Sequence, residues 1–419
     1  MKKCIYKIIL VWSILLFIPL CIYADDKLIM EDFYFKNSSI PTLSSISEVP
    51  KINARHALIF DRNSKIPIYG KKEKEKCKMA STTKIMTAIV VIENSQLDDI
   101  VKISQKSAGT GGSRLGLSKN DKISVKHLLY GLMLKSGNDA AVALAEYTGG
   151  NVENFALMMN KKAKILNLTQ TNFVTPHGLD DENHYTTALD LAILSDYALS
   201  NNIFSKIVKT KSYTISINNH PKTISNTNEL LGNFEGLYGI KTGFTNGANR
   251  CLITACKRDS LDFICVVLGC DTKKNRTQDS INLLNYAFNN YSLINVENLI
   301  YEKFDNWFQS HTCSFFINKG KTQNIDLYLE KSDFIFSNIA IKNSIKNKIN
   351  IEIIFNSYFD APVKMNTHIG NIILLIDNKR YYSVDILSNS TIYKKSPYDY
   401  ISFILKNYPS FFKKNSTIL

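Results

Sequence analysis

A serine and a lysine stand three positions apart, as Ser81 and Lys84, just before an apolar segment. On a helix this spacing places both side chains on one face, one turn apart. Residues 85–92 are apolar all round, which predicts a buried helix. Burial disfavours the ammonium form of a lysine, so Lys84 can become a neutral amine and accept the hydroxyl proton of Ser81. Ser81 would then be a nucleophile. Taken alone, the pair is more typical of an ordinary helix start in which Ser81 is the cap.

A second pair of polar residues, Ser136 and Asn138, falls between two predicted helices. Residues 125–133 carry an apolar stripe at helical spacing, and this helix should end near Gly137. Residues 139–147 are rich in alanine and start the next helix. The pair therefore lies in a tight corner that can direct side chains into a cleft. By itself the corner is also ordinary turn chemistry.

The third group is Lys241-Thr242-Gly243, which precedes two predicted strands. Residues 251–256 and 263–268 are apolar runs separated by a polar turn, a pattern typical of adjacent antiparallel strands. Thr242 and Gly243 taken alone also fit a turn at the end of a strand.

Further elements give a mixed α/β pattern. Residues 57–60 and 66–69 flank a turn-rich loop and predict a hairpin, while residues 188–199 and 281–288 have helical spacing. Strands at both ends of this region enclose a middle that we interpret as all-helical. We therefore expect an α/β domain over residues 53–291, with an antiparallel sheet flanked by helices and an inserted helical lobe.

Beyond this region the pattern becomes that of strands. A period of two places polar side chains between apolar ones, with Ile349, Ile351, Ile353 and Phe355 against Asn350, Glu352 and Asn356. Residues 371–386 predict a hairpin around an Asp-Asn turn. We expect a small β-rich domain over residues 294–390. Residues 398–414 carry one apolar stripe followed by lysines. This pattern fits an amphipathic segment on a membrane surface, a helix packed on its own domain or a frayed tail.

The chain has 419 residues, 45% of them hydrophobic, and a formal net charge of +14. This charge suits anionic partners, although a generally lysine-rich composition explains it equally well. Because no arginine-rich tract, zinc-finger spacing or aromatic RNA-binding motif occurs, nucleic acid is the least favoured partner.

The first residues predict export. A basic start, an apolar run to Tyr23 and then Ala24 have the layout of a secretory signal over residues 1–24, followed by a polar leader over residues 25–52. An uncleaved anchor is the alternative. A lipoprotein signal through Cys21 is disfavoured, because the bulky Leu20 precedes it.

The cysteines and histidines do not suggest a metal site. The eight cysteines show no CxxC spacing, and the seven histidines are scattered without an HExxH motif. Cys251 and Cys256 have opposite parity in their predicted strand, so they should face opposite sides of the sheet. We expect free, mostly buried thiols, no metal and no cofactor.

The three weak motifs Ser81-x-x-Lys84, Ser136-x-Asn138 and Lys241-Thr242-Gly243 occur in the order found in penicillin-binding proteins and serine β-lactamases. From about residue 54 to residue 291 the chain resembles the low-molecular-weight penicillin-binding proteins that are serine-type D-alanyl-D-alanine carboxypeptidases. Within this range, the segments that carry the resemblance are residues 79–88, 176–180 and 240–245. It implies a β-lactamase/penicillin-binding transpeptidase-like domain, and the β-rich region and amphipathic end look like that family's tail.

The resemblance implies a role for each motif. Ser81 would attack the carbonyl between two terminal D-alanines and would also bind penicillin covalently, with Lys84 as base and Ser136 passing the proton to the departing amine. The backbone N–H groups of Ser81 and Phe244 would form the oxyanion hole. The residues implied in substrate binding are Asn138, Lys241, Thr242, Gly243, Phe244 and Arg276.

The expected partners follow from the same resemblance. They are a peptidoglycan stem peptide ending in D-Ala-D-Ala, β-lactam antibiotics as inhibitors and an anionic membrane surface. The expected location is the outer face of the cytoplasmic membrane or the cell wall. Arg276 as a plain surface charge is the alternative to its role as a carboxylate ligand.

Three other functions compete with this prediction. A serine β-lactamase shares the core but normally adds a glutamate in a Glu-x-x-x-Asn pattern, which is absent after Asn138 because Thr186 stands at that spacing from Glu182. A non-catalytic wall-binding protein would not need the complete set of reactive side chains. A basic membrane-bound interaction protein would explain the tail but not the three motifs.

Overall fold

The computed structural model describes residues 49–311, 315–330 and 338–407. The predicted signal at residues 1–24, residues 25–48 of the leader, Cys313 and residues 408–414 of the terminal segment lie outside the described residues.

The described elements alternate between strands and helices in the first two thirds of the chain. In chain order, the strands are β1 His56–Asp61, β2 Ile66–Lys71, β3 Ile100–Lys102, β4 Lys122–Ser124, β5 Ser212–Ile217, β6 His220–Ser225, β7 Leu237–Thr245, β8 Asn249–Arg258, β9 Leu261–Cys270, β10 Tyr291–Asn295, β11 Phe316–Asn318, β12 Leu327–Leu329, β13 Asn338–Lys342, β14 Ile349–Phe355, β15 Tyr358–Asp360, β16 His368–Ile376 and β17 Lys379–Ser388. The α-helices are α1 Lys84–Asn94, α2 Gln105–Ala108, α3 Val125–Leu134, α4 Asn138–Gly149, α5 Val152–Ile165, α6 Ala188–Leu199, α7 Asn202–Val208, α8 Lys273–Asn290, α9 Val296–His311 and α10 Pro397–Asn407.

An antiparallel sheet of five strands, in the order β2-β1-β9-β8-β7, organises the first part of the chain. The hairpins predicted for β1–β2 and β8–β9 are confirmed. Helix α8 packs on one face of the sheet, and α1, α6 and α7 belong to the core on the other face. Cys251 and Cys256 lie in these two different cores, so their predicted opposite orientation is confirmed. Both are free thiols.

The lobe inserted between β2 and β7 is mostly helical, as predicted, but the expectation of an all-helical middle is wrong. It contains the two-stranded sheets β3–β4 and β5–β6. The β5–β6 turn is made by Asn218 and Asn219, with φ angles of 50° and 65°. Asparagine tolerates this left-handed region well, so an Asn-Asn pair is a hairpin signal.

The last part of the chain contains a four-stranded sheet, β12-β17-β16-β14, and two smaller strand pairs. The predicted hairpin around Asp377 and Asn378 is confirmed, and both turn residues have positive φ. Helix α9 was not predicted in this β-rich region. One face of α9 is buried in the core of this part of the chain, through Val296, Ile300, Phe304 and Trp307.

Helix α10 does not pack on its own domain. None of its described residues is buried, and Tyr398, Ile401 and Phe403 are 77%, 55% and 61% exposed. The described residues contain no helix with both the length and the apolar character needed to cross a membrane.

The predicted fold class is confirmed: an antiparallel sheet flanked by helices, a lobe inserted in the same domain, and a following β-rich part.

Candidate active site

Ser81 lies in a short 3-10 turn, Ala80–Thr83, that leads directly into α1. The hydroxyls of Thr82 and Thr83 donate to the carbonyls of Met79 and Ala80 at 2.6 and 2.8 Å, which closes the turn from within. Ser81 does not cap α1, whose N-cap position is Thr83. Its hydroxyl is therefore available for another partner.

That partner is Lys84, the first residue of α1. The Lys84 Nζ atom lies 2.8 Å from Ser81 Oγ, 2.7 Å from Asn138 Oδ1 and 2.9 Å from the His177 carbonyl oxygen. The side chain is fully buried. Burial, followed by the charge of Lys241, holds the pKa of Lys84 well below its usual range.

The three partners of Lys84 match a neutral amine. An uncharged amine has two N–H donors and one lone pair. Asn138 Oδ1 and the His177 carbonyl can only accept, so they take the two N–H groups. The lone pair is then directed at Ser81, whose hydroxyl can donate to it. This arrangement prepares Lys84 to accept the proton of Ser81.

The corner between α3 and α4 brings Asn138 to this pair. Asn138 is the first residue of α4, and its Nδ2 group donates to the Gly111 carbonyl at 2.7 Å. A Cβ atom on Gly112, which has a φ of +81°, would lie 2.5 Å from Asn138 Nδ2. Ser136 is buried in the same corner with a φ of +63°.

Strand β7 passes close to the Ser81 turn. A Cβ atom on Gly243 would lie 3.1 Å from the Ser81 backbone nitrogen, so only a glycine allows this approach without a shift.

Lys241 is buried, and its Nζ donates to the Thr242 carbonyl at 3.0 Å. Burial, followed by the charge of Arg276, lowers the pKa of Lys241 to about 7. Phe244 stays 49% exposed.

Thr242 and Arg276 have other partners in the structure. The Thr242 hydroxyl shares a hydrogen bond of 2.7 Å with Thr227. Arg276, in the first turn of α8, pairs through Nη2 with Glu229 at 3.1 Å, and its buried Nε has no partner. Neither residue lines the cleft next to Ser81.

The cleft beside Ser81 has a volume of about 270 Å³. It is lined by Ser81, Gly112, Ser113, Asn138, Leu179, Asp180, Phe244, Thr245 and Asn246. The structure therefore brings Ser81, Asn138 and Phe244 together around one opening, with Lys84 buried directly behind Ser81. Within the described ranges, no cluster of three or more His, Cys, Asp or Glu side chains could hold a metal ion.

Sequence reasoning did not select Thr245 and Asp180 as site residues. The Thr245 hydroxyl donates to Asp180 Oδ1 at 2.7 Å, and the Gly247 N–H donates to Asp180 Oδ2 at 2.9 Å. These bonds tie the loop at residues 176–181 to the β7–β8 turn. Both residues lie in segments that we had included in the resemblance, but only three-dimensional contact indicates that they meet.

His184 holds the Ser81 turn from behind. Its Nδ1 accepts the Val174 N–H at 3.0 Å, so its Nε2 carries the proton and donates to Thr83 Oγ1 at 2.8 Å. Burial lowers the pKa of His184 to about 4, which keeps the ring neutral. Gly178 packs against the same turn, where a Cβ atom would lie 2.0 Å from the Ala80 carbonyl oxygen. This packing rigidifies the turn that presents Ser81.

Residues 44–272 match the family described as D-alanyl-D-alanine carboxypeptidase, and residues 316–394 match the C-terminal domain of penicillin-binding protein 5. The chain is 30% identical over 357 residues to the D-alanyl-D-alanine carboxypeptidase DacF of Bacillus subtilis, which covers 84% of this chain and 87% of that protein. The structure of penicillin-binding protein 5 from Haemophilus influenzae is similar with a TM-score of 0.66 and 26% identity, over 83% of this chain and 99% of that one. A Streptomyces DD-transpeptidase is similar with a TM-score of 0.55 and 34% identity, over 57% of this chain and 99% of that one.

Proposed function

The chain belongs to the family of D-alanyl-D-alanine carboxypeptidases, and from this premise we propose that it removes the terminal D-alanine from peptidoglycan stem pentapeptides through an acyl-enzyme on Ser81. It is a hydrolase of the serine-peptidase class. The observation that carries the proposal is the buried Lys84 amine, 2.8 Å from Ser81 Oγ at the edge of an open cleft.

In the proposed reaction, Ser81 Oγ attacks the carbonyl carbon between the two D-alanines while its proton passes to Lys84. The developing oxyanion accepts hydrogen bonds from the backbone N–H groups of Ser81 and Phe244. Ser136 passes a proton from Lys84 to the departing nitrogen, the C–N bond breaks, and D-alanine leaves. Water then attacks the ester, and the shortened peptide is released with Ser81 restored. The same serine would be acylated by penicillin.

For substrate binding, we propose that Asn138 holds the peptide amide and that Lys241 supplies positive charge. Thr242 and Arg276 would bind the terminal carboxylate, a role for which a guanidinium is well suited. Arg276 pairs with Glu229 through Nη2, and its buried Nε has no partner, so the guanidinium is not saturated with hydrogen bonds from the protein. Gly243 would let β7 approach the Ser81 turn.

The direct test is release of D-alanine from a pentapeptide that ends in D-Ala-D-Ala. We expect stoichiometric release of one D-alanine per peptide and covalent labelling by a fluorescent penicillin. Labelling without peptide hydrolysis would contradict the carboxypeptidase proposal and favour a wall-binding scaffold. Rapid turnover of penicillin would favour a β-lactamase.

A transpeptidase is the second candidate, because of the similarity to the Streptomyces DD-transpeptidase. Transpeptidation and hydrolysis share the acyl-enzyme and differ only in whether an amine or water attacks the ester. Adding an amine acceptor to the D-alanine assay distinguishes them, since only a transpeptidase yields the cross-linked product.

We also propose that the chain is exported, with residues 1–24 as the signal, and acts at the outer face of the cytoplasmic membrane or in the cell wall. Residues 53–291 would form the catalytic domain, and residues 294–390 the small β-rich domain. Helix α10 would lie on an anionic membrane surface, a role that its exposed Ile401, Phe403 and Leu405 support.

Deleting residues 398–419 is expected to move the protein from the membrane fraction to the soluble fraction, because it removes the exposed apolar side chains of α10. The assay is fractionation of cell extracts followed by labelling with fluorescent penicillin. As a control, Ile165→Ser and Leu157→Ser remove exposed apolar side chains from α5 and should leave the distribution unchanged. An unchanged distribution after the deletion would count against the membrane role.

A further inference from the structure

The geometry points to Asp139 as a positioning residue that holds one wall of the cleft and, through Asn138, the Lys84 amine. This inference rests on the catalytic roles proposed above for Ser81 and Lys84. Asp139 lies outside the three sequence motifs, next to Asn138 in the first turn of α4.

The Asp139 carboxylate is fully buried and accepts four backbone N–H groups. Oδ1 accepts from Leu115 at 2.8 Å and from Ala140 at 2.9 Å, while Oδ2 accepts from Gly116 at 2.8 Å and from Leu117 at 3.0 Å. Three of the four donors belong to one loop. A carboxylate is the side chain suited to this task, because both of its oxygens only accept.

The loop fixed in this way carries cleft residues. Gly112 and Ser113 line the cleft, and Arg114 alone separates them from the segment held by Asp139. Asn138 binds the same loop from the other side, since its backbone N–H donates to the Ser113 carbonyl at 2.7 Å. Asn138 also binds Lys84. Displacement of the loop would therefore disturb both the cleft wall and the amide that orients the Lys84 amine.

The same geometry accounts for the glycine inside the Ser136-x-Asn138 motif. A Cβ atom on Gly137 would lie 2.8 Å from Asp139 Oδ1 and 3.1 Å from Leu115 Cβ. Any larger residue would have to displace the carboxylate or the loop that it holds. The middle position of the motif is thus constrained by Asp139 and by the loop that Asp139 holds.

Asp139 also affects the charge of Lys84. The groups that act on Lys84 are Lys241 on β7, which lowers its pKa, and Asp139 on α4, which raises it. His177 on the adjacent loop is held neutral, since burial lowers its pKa to about 3. Removing the negative charge of Asp139 should lower the pKa of Lys84 further, so the neutral amine would persist to more acidic pH.

The test is Asp139→Asn in the full chain, followed by the second-order rate of acylation by fluorescent penicillin as a function of pH. The asparagine amide nitrogen cannot accept an N–H, so two of the four backbone donors lose their partner, and at least one of these two belongs to the loop. We expect the acylation rate to fall on the order of tenfold to a hundredfold. We also expect the acid limb of the pH profile to move to lower pH.

Asp190→Asn is the matched control. Asp190 is also a buried carboxylate that holds a loop, accepting the Gln170 N–H at 3.0 Å and the Thr171 hydroxyl at 2.6 Å, but it does not line the cleft. We expect it to lower the melting temperature and leave the acylation rate and the pH profile unchanged.

Gly137→Ala tests the position of the Asp139 carboxylate separately from its charge. It provides the decisive measurement if the Asp139→Asn protein does not fold. It crowds the Asp139 carboxylate without removing it, so the rate should fall while the acid limb stays in place. Wild-type acylation rates in a folded Asp139→Asn or Gly137→Ala protein would overturn the inference. Absence of labelling in the wild-type protein would instead overturn the proposed function.

Discussion

Replacing Ser81 by alanine is expected to abolish covalent labelling by a fluorescent penicillin and to reduce D-alanine release by about 10⁴-fold or more. The reason is geometric. Ser81 Oγ is the hydroxyl that Lys84 contacts, at 2.8 Å, and it opens onto the cleft. Removing it leaves the proposed base and binding groups in place but takes away the atom proposed to form the ester.

The matched control for this substitution is Ser260→Ala, in the exposed turn between β8 and β9. It removes an exposed hydroxyl from the same domain, outside the cleft, and the variant should label at the wild-type rate. Labelling and intact-mass analysis of both variants provide the measurement. If the Ser81→Ala protein still gains the mass of one penicillin, another residue is the nucleophile and the assignment is wrong.

The contact between Ser81 and Lys84 could be predicted because it is local. Two residues three positions apart at the start of a helix must face each other, and the apolar segment after them predicted burial of the amine. The contact of Lys84 with Asn138 spans 54 positions in the chain and could not be derived from periodicity. Only the resemblance to a known family linked these motifs before the structure did.

Contacts between irregular segments account for most of what the sequence did not reveal. Asp139 and the loop at residues 111–117 meet through backbone N–H groups, which have no side-chain signature. The bond between Thr245 and Asp180 joins the end of β7 to a loop. Helix α9 is a different case, because the spacing of Ile300, Phe304 and Trp307 was a helical signal within a region interpreted as strands.

The buried cations of the site explain how its amines can be held neutral. Burial is the largest cause of the lowered pKa of Lys84, Lys241 and Arg276. In addition, the charge of Arg276 lowers the pKa of Lys241, and the charge of Lys241 lowers the pKa of Lys84. Glu229 offsets part of this charge through Arg276. With a pKa of about 7, Lys241 is fully charged only at acidic pH, and a nearby anionic group would raise this pKa.

The lowered pKa values of Lys84 and Lys241 set the expected pH dependence of acylation in the wild-type protein. The proposed base Lys84 can accept a proton only when neutral, so the rate should rise with pH through the pKa of Lys84, which lies well below its usual range. The rate should fall again above neutral pH, because Lys241, with a pKa of about 7, then loses the positive charge proposed for binding. A rate that rises only at strongly alkaline pH would contradict a neutral Lys84.

Replacing Lys84 by arginine tests whether the neutral Lys84 amine is the base, because an arginine side chain does not lose its proton in this pH range. A guanidinium can donate to Asn138 and to the His177 carbonyl, but it stays protonated and cannot accept the proton of Ser81. We expect the acylation rate to fall by about 10²- to 10⁴-fold, with no acid limb in the pH profile. Lys348→Arg, in an exposed ion pair with Asp377, is the matched control and should behave as wild type. A Lys84→Arg protein that retained both the rate and the acid limb would show that another group removes the proton.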